Sequence, residues 1–138
     1  MGRQLVTWTP VQSDCRGRSL LLTFVLSLIV IFSFSQTTIY IDPTFTGSNQ
    51  NGSITNPFDS WTDFSFVNGN TYLQKRGTTY TSSTQIYLSS KTNITIGSYG
   101  TGERPVFSYT GSGYAFRVQS SSNCTIQDFE VNGNVNAH

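Results

Sequence analysis

The sequence contains few charged side chains, little sulfur and a single histidine. Only 11% of its 138 residues are Asp, Glu, Lys or Arg, and the formal net charge is +1. Outside residues 1–35 there are five basic against six acidic side chains, a net charge of −1. A nearly neutral chain without a basic stripe lacks the charge that binds a phosphate backbone, so we expect no nucleic-acid partner.

Cysteine occurs only twice, as Cys15 and Cys124. Cys15 lies in a segment that we expect to be removed on export, so the mature chain cannot form an internal disulfide. Cys124 is interpreted as a small core residue rather than a catalytic thiol. The single histidine, His138, is the last residue, and we assign it no function.

One long uncharged apolar run is present, at residues 20–34 (LLLTFVLSLIVIFSF). Two arginines precede it, and Ser33 and Ser35 occupy the −3 and −1 places before Gln36. This order is typical of a secretory signal peptide, so we predict that residues 1–35 form a signal peptide with a long leader and that the protein is secreted or displayed at the cell surface. A membrane span needs roughly twenty residues, so no membrane association is expected after cleavage; an uncleaved signal anchor is the alternative.

The remaining sequence contains a repeat. Residues 85–99 align with residues 115–129 after a shift of thirty positions. Apolar residues alternate within each copy, which predicts strands with one buried face. The aligned pairs are Ile86 with Phe116, Leu88 with Val118, Asn93 with Asn123, Ile94 with Cys124, Thr95 with Thr125, Ile96 with Ile126 and Tyr99 with Phe129.

Repeats of this length made of short strands are typical of a parallel β-helix, in which coils stack and like residues lie above like. We therefore predict that Ile126 stacks on Ile96 inside the core, and that Tyr99 and Phe129 form an aromatic stack. The two asparagines also stand in glycosylation sequons, but we interpret them as a ladder of side-chain amides. An antiparallel β-sandwich with a chance match is the alternative.

Residues 36–69 precede the first complete coil. The sequence predicts a strand at residues 38–41, a polar loop, and a short helix at residues 59–67 that begins with a capping residue and carries aromatic side chains on one side. Such a helix would cover the open end of the stacked coils, which exposes apolar core. An irregular loop is the alternative.

Three stretches resemble the secreted right-handed parallel β-helix proteins of the pectate-lyase-like superfamily. The string YIDPTFTGSNQNGSITNPFDSW is similar to their entry segment, NGNTYLQKRGTTY to their first coil, and NITIGSYGTGERPVFS to their strand–corner–strand motif. The likeness covers residues 38 to 133. Gln74 departs from the pattern, because relatives commonly have an apolar residue there, and looser packing of the first coil is expected.

The resemblance implies an all-β, right-handed parallel β-helix with a short N-terminal capping helix. Residues 70–138 would form its first two to three coils. Since solenoids generally have more repeats and a cap at each end, we expect this sequence to be the N-terminal part of a longer protein. Members of the superfamily include polysaccharide lyases and non-catalytic surface proteins. We therefore expect the N-terminal part of a secreted carbohydrate-active protein, namely a lyase that acts on acidic polysaccharide by β-elimination, with a non-catalytic surface or adhesion solenoid as the alternative.

The sequence offers few candidates for catalytic, metal-binding or substrate-binding residues. β-Elimination from a uronate needs its carboxylate neutralised, often by Ca²⁺, and a base that removes the neighbouring proton. Asp128 and Glu130 are candidate metal ligands, although a solvated surface pair is the alternative and Ca²⁺ takes about six to eight oxygen ligands. Tyr87 and Arg117 align on the outward face and are candidate substrate-binding residues. No cofactor is expected for this segment, and Ca²⁺ is expected only with the longer protein.

Overall fold

A computed structural model describes residues 35–137 of the chain. The predicted signal peptide therefore lies outside the described residues except for Ser35, as does His138. Within this range the chain forms ten strands and no helix, so no helix there is long and apolar enough to cross a membrane. The strands are β1 (Thr38–Ile41), β2 (Thr71–Lys75), β3 (Thr79–Ser82), β4 (Ile86–Ser89), β5 (Thr95–Tyr99), β6 (Val106–Tyr109), β7 (Tyr114–Gln119), β8 (Thr125–Ile126), β9 (Glu130–Asn132) and β10 (Asn134–Ala137).

The ten strands form three sheets, ordered β1-β2-β5-β8, β3-β6-β9 and β4-β7-β10. Every strand pair is parallel. From β2 onward each strand pairs with the strand three positions later, so the chain visits the three sheets in turn. The all-β class is confirmed, and the antiparallel sandwich is wrong for the described residues.

The strand register confirms the repeat. Ile86 pairs with Phe116 and Leu88 with Val118 between β4 and β7. Between β5 and β8, Thr95 pairs with Thr125. These are the pairs expected from the shift of thirty positions, because side chains of one parity must all face the same side of a strand.

One apolar core lies among the three sheets. Its buried side chains come from all of them and from the segment that precedes β2, and each large one contributes about 1.5–3 kcal/mol through burial. The core residues are Ile41, Trp61, Tyr72, Ile86, Leu88, Ile94, Ile96, Phe107, Ala115 and Phe116.

Ile126 lies beside Ile96 in the register of β5 and β8, as predicted. Two other packing predictions, the burial of Ile126 and the stack of Tyr99 on Phe129, fail. Ile126 is 37% exposed, whereas its partner Ile96 is fully buried. Within the described residues β8 is an edge strand that pairs with β5 alone, so one side of Ile126 has no neighbouring strand. Tyr99 packs edge-on against Tyr40, and Phe129 packs against Phe116 and Trp61 rather than on Tyr99.

The predicted capping helix at residues 59–67 is wrong, since this segment consists of turns and bends. Phe64 and Phe66 both pack against Tyr72, with ring centroids 5.2 and 4.7 Å away. Residues two apart in a helix do not face the same side, so this contact excludes helical geometry. The backbone N–H of Val67 donates to the Tyr72 hydroxyl at 2.7 Å instead of to a helical carbonyl.

Gln74 is fully buried, and its side-chain amide is completely bonded. The indole N–H of Trp61 donates to Gln74 Oε1 at 2.7 Å. Gln74 Nε2 lies 3.2–3.3 Å from the Thr78 hydroxyl, the Thr78 carbonyl and the Val106 carbonyl. A buried amide is tolerated when its polar atoms are bonded. Gln74 therefore gives the Trp61 indole a partner, and the looser packing that was expected at this position is not found.

Candidate functional site

Tyr87 and Arg117 are neighbours on the outer face of the β4–β7 pair. They are register partners, and the Arg117 guanidinium carbon lies 5.2 Å from the centre of the Tyr87 ring. The Tyr87 hydroxyl donates to Gln119 Oε1 at 2.7 Å. The structure therefore brings together the two candidate substrate-binding residues as a cation–π pair, in which the ring and the guanidinium limit each other's motion.

A shallow groove of about 480 Å³ adjoins Arg117. Strand β7 supplies Tyr114 and Arg117, and β6 supplies Tyr109 at its end. The turn between β3 and β4 and the turn between β6 and β7 supply the rest of the wall. Hydroxyls, amides and two phenol rings dominate the lining, which consists of Ser83, Thr84, Gln85, Tyr109, Ser112, Gly113, Tyr114 and Arg117.

The groove is electrostatically one-sided. Among the described residues that line it, Arg117 is the only Asp, Glu, Lys, Arg or His side chain. Tyr114 is 40% exposed at the groove wall. An arginine without a neighbouring carboxylate attracts an anionic group, and its planar guanidinium can hold a carboxylate by two parallel hydrogen bonds.

A second groove, of about 450 Å³, lies beside β4. It shares Thr84 and Gln85 with the first groove. Lys91 is the only charged side chain in its lining within residues 35–137. Its remaining wall is largely aromatic and comes from the segment that was predicted to be a helix. The lining residues outside the shared pair are Trp61, Thr62, Phe64, Ser65, Phe66, Ile86, Tyr87 and Lys91.

Asp128 and Glu130 lie away from both grooves. The Asp128 carboxylate pairs with Arg76, accepts a hydrogen bond from the Ser98 hydroxyl at 2.5 Å, and lies 3.6 Å from Arg104 Nε. The Ser98 hydrogen bond, with help from both arginines, lowers the pKa of Asp128. These contacts join residues in or just after β2, β5 and β8, three successive strands of one sheet. A cation at Asp128 would have to compete with two guanidinium groups.

Glu130 begins β9, where it pairs with Val106. No group of three or more His, Cys, Asp or Glu side chains within residues 35–137 is arranged to hold a metal ion. The assignment of Asp128 and Glu130 as metal ligands remains a prediction.

Asp42, directly after β1, also forms an ion pair with a distant residue. Its carboxylate accepts hydrogen bonds from Lys75 Nζ at 2.7 Å and from the Thr44 hydroxyl at 2.6 Å. Burial opposes ionisation of Asp42, but the hydrogen bonds from Lys75 and Thr44 outweigh it and lower the pKa. Burial also raises the pKa of Tyr99 to about 12, and the negative charge of Asp42 adds to this effect.

Sequence reasoning missed Tyr109, Tyr114 and Lys91 as groove residues. The repeat could have indicated Tyr114, because a shift of thirty positions aligns it with Thr84, which lines the same groove. Tyr109 and Lys91 lie in turns or at strand ends, where the repeat does not predict the direction of the side chain. Cys124 is half-buried and packs against the core, in agreement with its predicted role.

Comparisons of the chain with family models, with curated proteins and with solved structures find no match. The likeness to the pectate-lyase-like superfamily therefore rests on the sequence motifs alone.

Proposed function

We propose that the chain is a right-handed parallel β-helix that binds an acidic polysaccharide outside the cell. The pairing of each strand with the strand three positions later supports the β-helix, because three strands then make one turn. Right-handedness follows the strong preference of crossovers between parallel strands. The apolar run at residues 20–34 supports export.

The observation that carries the binding proposal is the position of Arg117 over Tyr87 beside a groove without carboxylates. A uronate presents a carboxylate and hydroxyls together with an apolar ring face. Arg117 would pair with the carboxylate, the hydroxyl and amide side chains of the groove would bond to sugar hydroxyls, and the Tyr114 ring would pack against the sugar. Each contact matches one chemical feature of the ligand.

The same geometry supplies one of the requirements of β-elimination. Arg117 would neutralise the uronate carboxylate, but the reaction also needs a group that takes the adjacent proton. Arg117 has no second charged or histidine side chain beside it among the residues that line this groove. The groove is therefore proposed as a binding surface, which suits either a subsite of a lyase or a non-catalytic surface protein.

Calorimetric titration with an oligogalacturonate tests the proposal. Replacement of Arg117 by Gln should weaken binding about tenfold or more, because hydrogen bonds to charged groups contribute about 1.5–3 kcal/mol. The matched control is Arg104→Gln, which removes an exposed arginine outside the groove. Methyl esterification of the oligomer should have an effect similar to Arg117→Gln.

Two results would refute the proposal. One is equal binding of the free-acid and esterified oligomers. The other is an equal loss of affinity in Arg117→Gln and Arg104→Gln, which would indicate nonspecific attraction to positive charge rather than recognition at the groove.

A further inference from the structure

The outer edge of β4 carries unpaired backbone groups. Ser90 donates its backbone N–H toward β7, to Gln119 at 3.0 Å, and the Leu88 carbonyl also faces β7, where it accepts a bond from the Ser121 hydroxyl. Backbone groups of successive residues in a strand point to opposite neighbours, so Tyr87 and Ser89 direct theirs away from β7. Within residues 35–137 neither of these two residues forms a backbone hydrogen bond on that side.

Within residues 35–137 no strand covers this edge. Sheet β1-β2-β5-β8 is extended by β1 beyond β2, but no strand of the described chain lies beyond β4 in its own sheet. The segment before β2 runs past β4 without pairing with it. This segment bonds only just after the strand, where Gly69 N–H donates to the Thr92 carbonyl and Thr92 N–H donates to Asn68 Oδ1.

The second groove lies along the same edge. Phe64 and Phe66 are half-buried in its wall, and Lys91 stands near the end of β4. Lys91 forms no ion pair within the described residues, and no carboxylate lines the groove. The edge therefore combines a row of backbone donors and acceptors, an apolar wall and one positive charge.

We propose that this edge binds an extended polypeptide, which adds to β4 as a further strand. Only a polypeptide offers donors and acceptors at the spacing of a strand, about 3.3 Å per residue, so that alternate residues meet Tyr87 and Ser89. The segment would carry apolar side chains at alternate positions, which pack against Phe64 and Phe66. An acidic side chain at one end would pair with Lys91.

Hydrogen exchange of the full chain tests the edge directly. The probe is a short acetylated and amidated peptide in which isoleucine alternates with threonine and aspartate stands at both ends. Without peptide, the amides of Tyr87 and Ser89 should exchange rapidly, whereas those of Leu88 and Ser90 are protected by β7. With peptide, the amides of Tyr87 and Ser89 should become protected.

Variants identify the contacts. Replacement of Ser89 by Pro removes a donor that has no partner in the described chain, so the fold should be retained and peptide affinity should fall about tenfold. The matched control is Thr81→Pro on β3, an edge strand outside the groove in which Thr81 also faces away from its neighbour. Lys91→Ala should weaken the aspartate-ended peptide several-fold and leave a lysine-ended peptide unaffected or bound more tightly.

Several results would overturn the proposal. Absence of protection at Tyr87 and Ser89 at saturating peptide would do so, as would equal binding by the Ser89→Pro and Thr81→Pro variants. Protection of the same amides by an oligogalacturonate would assign the edge to a glycan. Protection that grows with protein concentration in the absence of peptide would assign it to a second copy of the chain.

Discussion

Asn123 donates its side-chain amide to Asn93 Oδ1 at 2.6 Å, thirty residues earlier in the sequence. Both asparagines have left-handed backbone conformations, with φ of 57° at Asn93 and 53° at Asn123. Ser90 and Ser120 repeat the same feature three residues earlier, with φ of 53° and 51°. The predicted ladder is confirmed, and the repeat extends to the backbone of the turn as well as to the strands.

Substitutions at Asn123 should separate its hydrogen bond from its backbone conformation. Asn123→Gly keeps the left-handed turn and removes the side-chain bond, so it should lower the free energy of unfolding by about 0.5–1.5 kcal/mol. Asn123→Ala should cost about 1 kcal/mol more, because a Cβ atom is unfavourable at this φ. Urea denaturation measures both. Equal stability of the two variants would mean that the turn is not left-handed in solution.

Replacement of Ile96 and Ile126 by Ala should have unequal effects. Ile96 is fully buried, and its loss should cost about 2–5 kcal/mol, the usual range for a large-to-small core change. Ile126 is 37% exposed, so its replacement should lower the free energy of unfolding by clearly less. Thr125→Ala serves as the surface control and should change stability by less than about 0.5 kcal/mol. Chemical denaturation of the three variants tests this order, and a cost at Ile126 equal to that at Ile96 would contradict the exposed edge.

Replacement of Gln74 by Leu should lower the free energy of unfolding, because Gln74 accepts the hydrogen bond from the Trp61 indole. Leucine fills similar space, but it leaves the buried indole N–H of Trp61 without its acceptor, a penalty of about 1–3 kcal/mol. In a Trp61→Phe background the same change should cost less, since no donor is left unpaired. A double-mutant cycle by thermal or urea unfolding measures the coupling. Additive effects would show that the two side chains do not interact.

The Asp42–Lys75 pair should make stability depend on pH. The pKa of Asp42 is lowered in the folded chain, so its contribution is present above the ordinary aspartate value of 3.8 and is lost as pH falls through the lowered folded value. Asp42→Asn should be less stable than the parent at neutral pH and should lose less stability on acidification. Unfolding curves between about pH 2 and 7 give both slopes. Parallel curves for parent and variant would exclude Asp42 as a source of acid sensitivity.

The protein should bind acidic polysaccharide without cleaving it. No base neighbours Arg117 among the described residues that line its groove, and Asp128 is paired with arginines. We therefore expect no release of unsaturated uronide from pectin, alginate or chondroitin, followed as absorbance of the unsaturated product. Growth of that absorbance, abolished by a chelator, would show that Asp128 and Glu130 hold a catalytic metal.

The outward pair Tyr87 and Arg117 shows how much of the candidate site the sequence repeat predicted. The alternation of apolar and polar residues in the repeat predicted the direction of both side chains and their register. Successive residues of a strand face opposite sides of the sheet, so position along the strand determines the face. The repeat did not predict the groove beside them. That groove depends on Tyr109 and Tyr114, whose positions follow from turns that join two sheets.

The sequence alone determined strands β1 to β8, their parallel stacking by thirty residues and the asparagine ladder, since these follow from local periodicity and from like residues that recur at one spacing. Only the tertiary structure decided the contacts between dissimilar residues far apart in the chain. Lys75 meets Asp42 and Arg76 meets Asp128, at separations of 33 and 52 residues. Packing likewise determined the irregular conformation of residues 59–67. The contacts of their aromatic side chains with Tyr72 and the core, and the hydrogen bond from the Val67 N–H to Tyr72, stabilise the segment more than a short helix would.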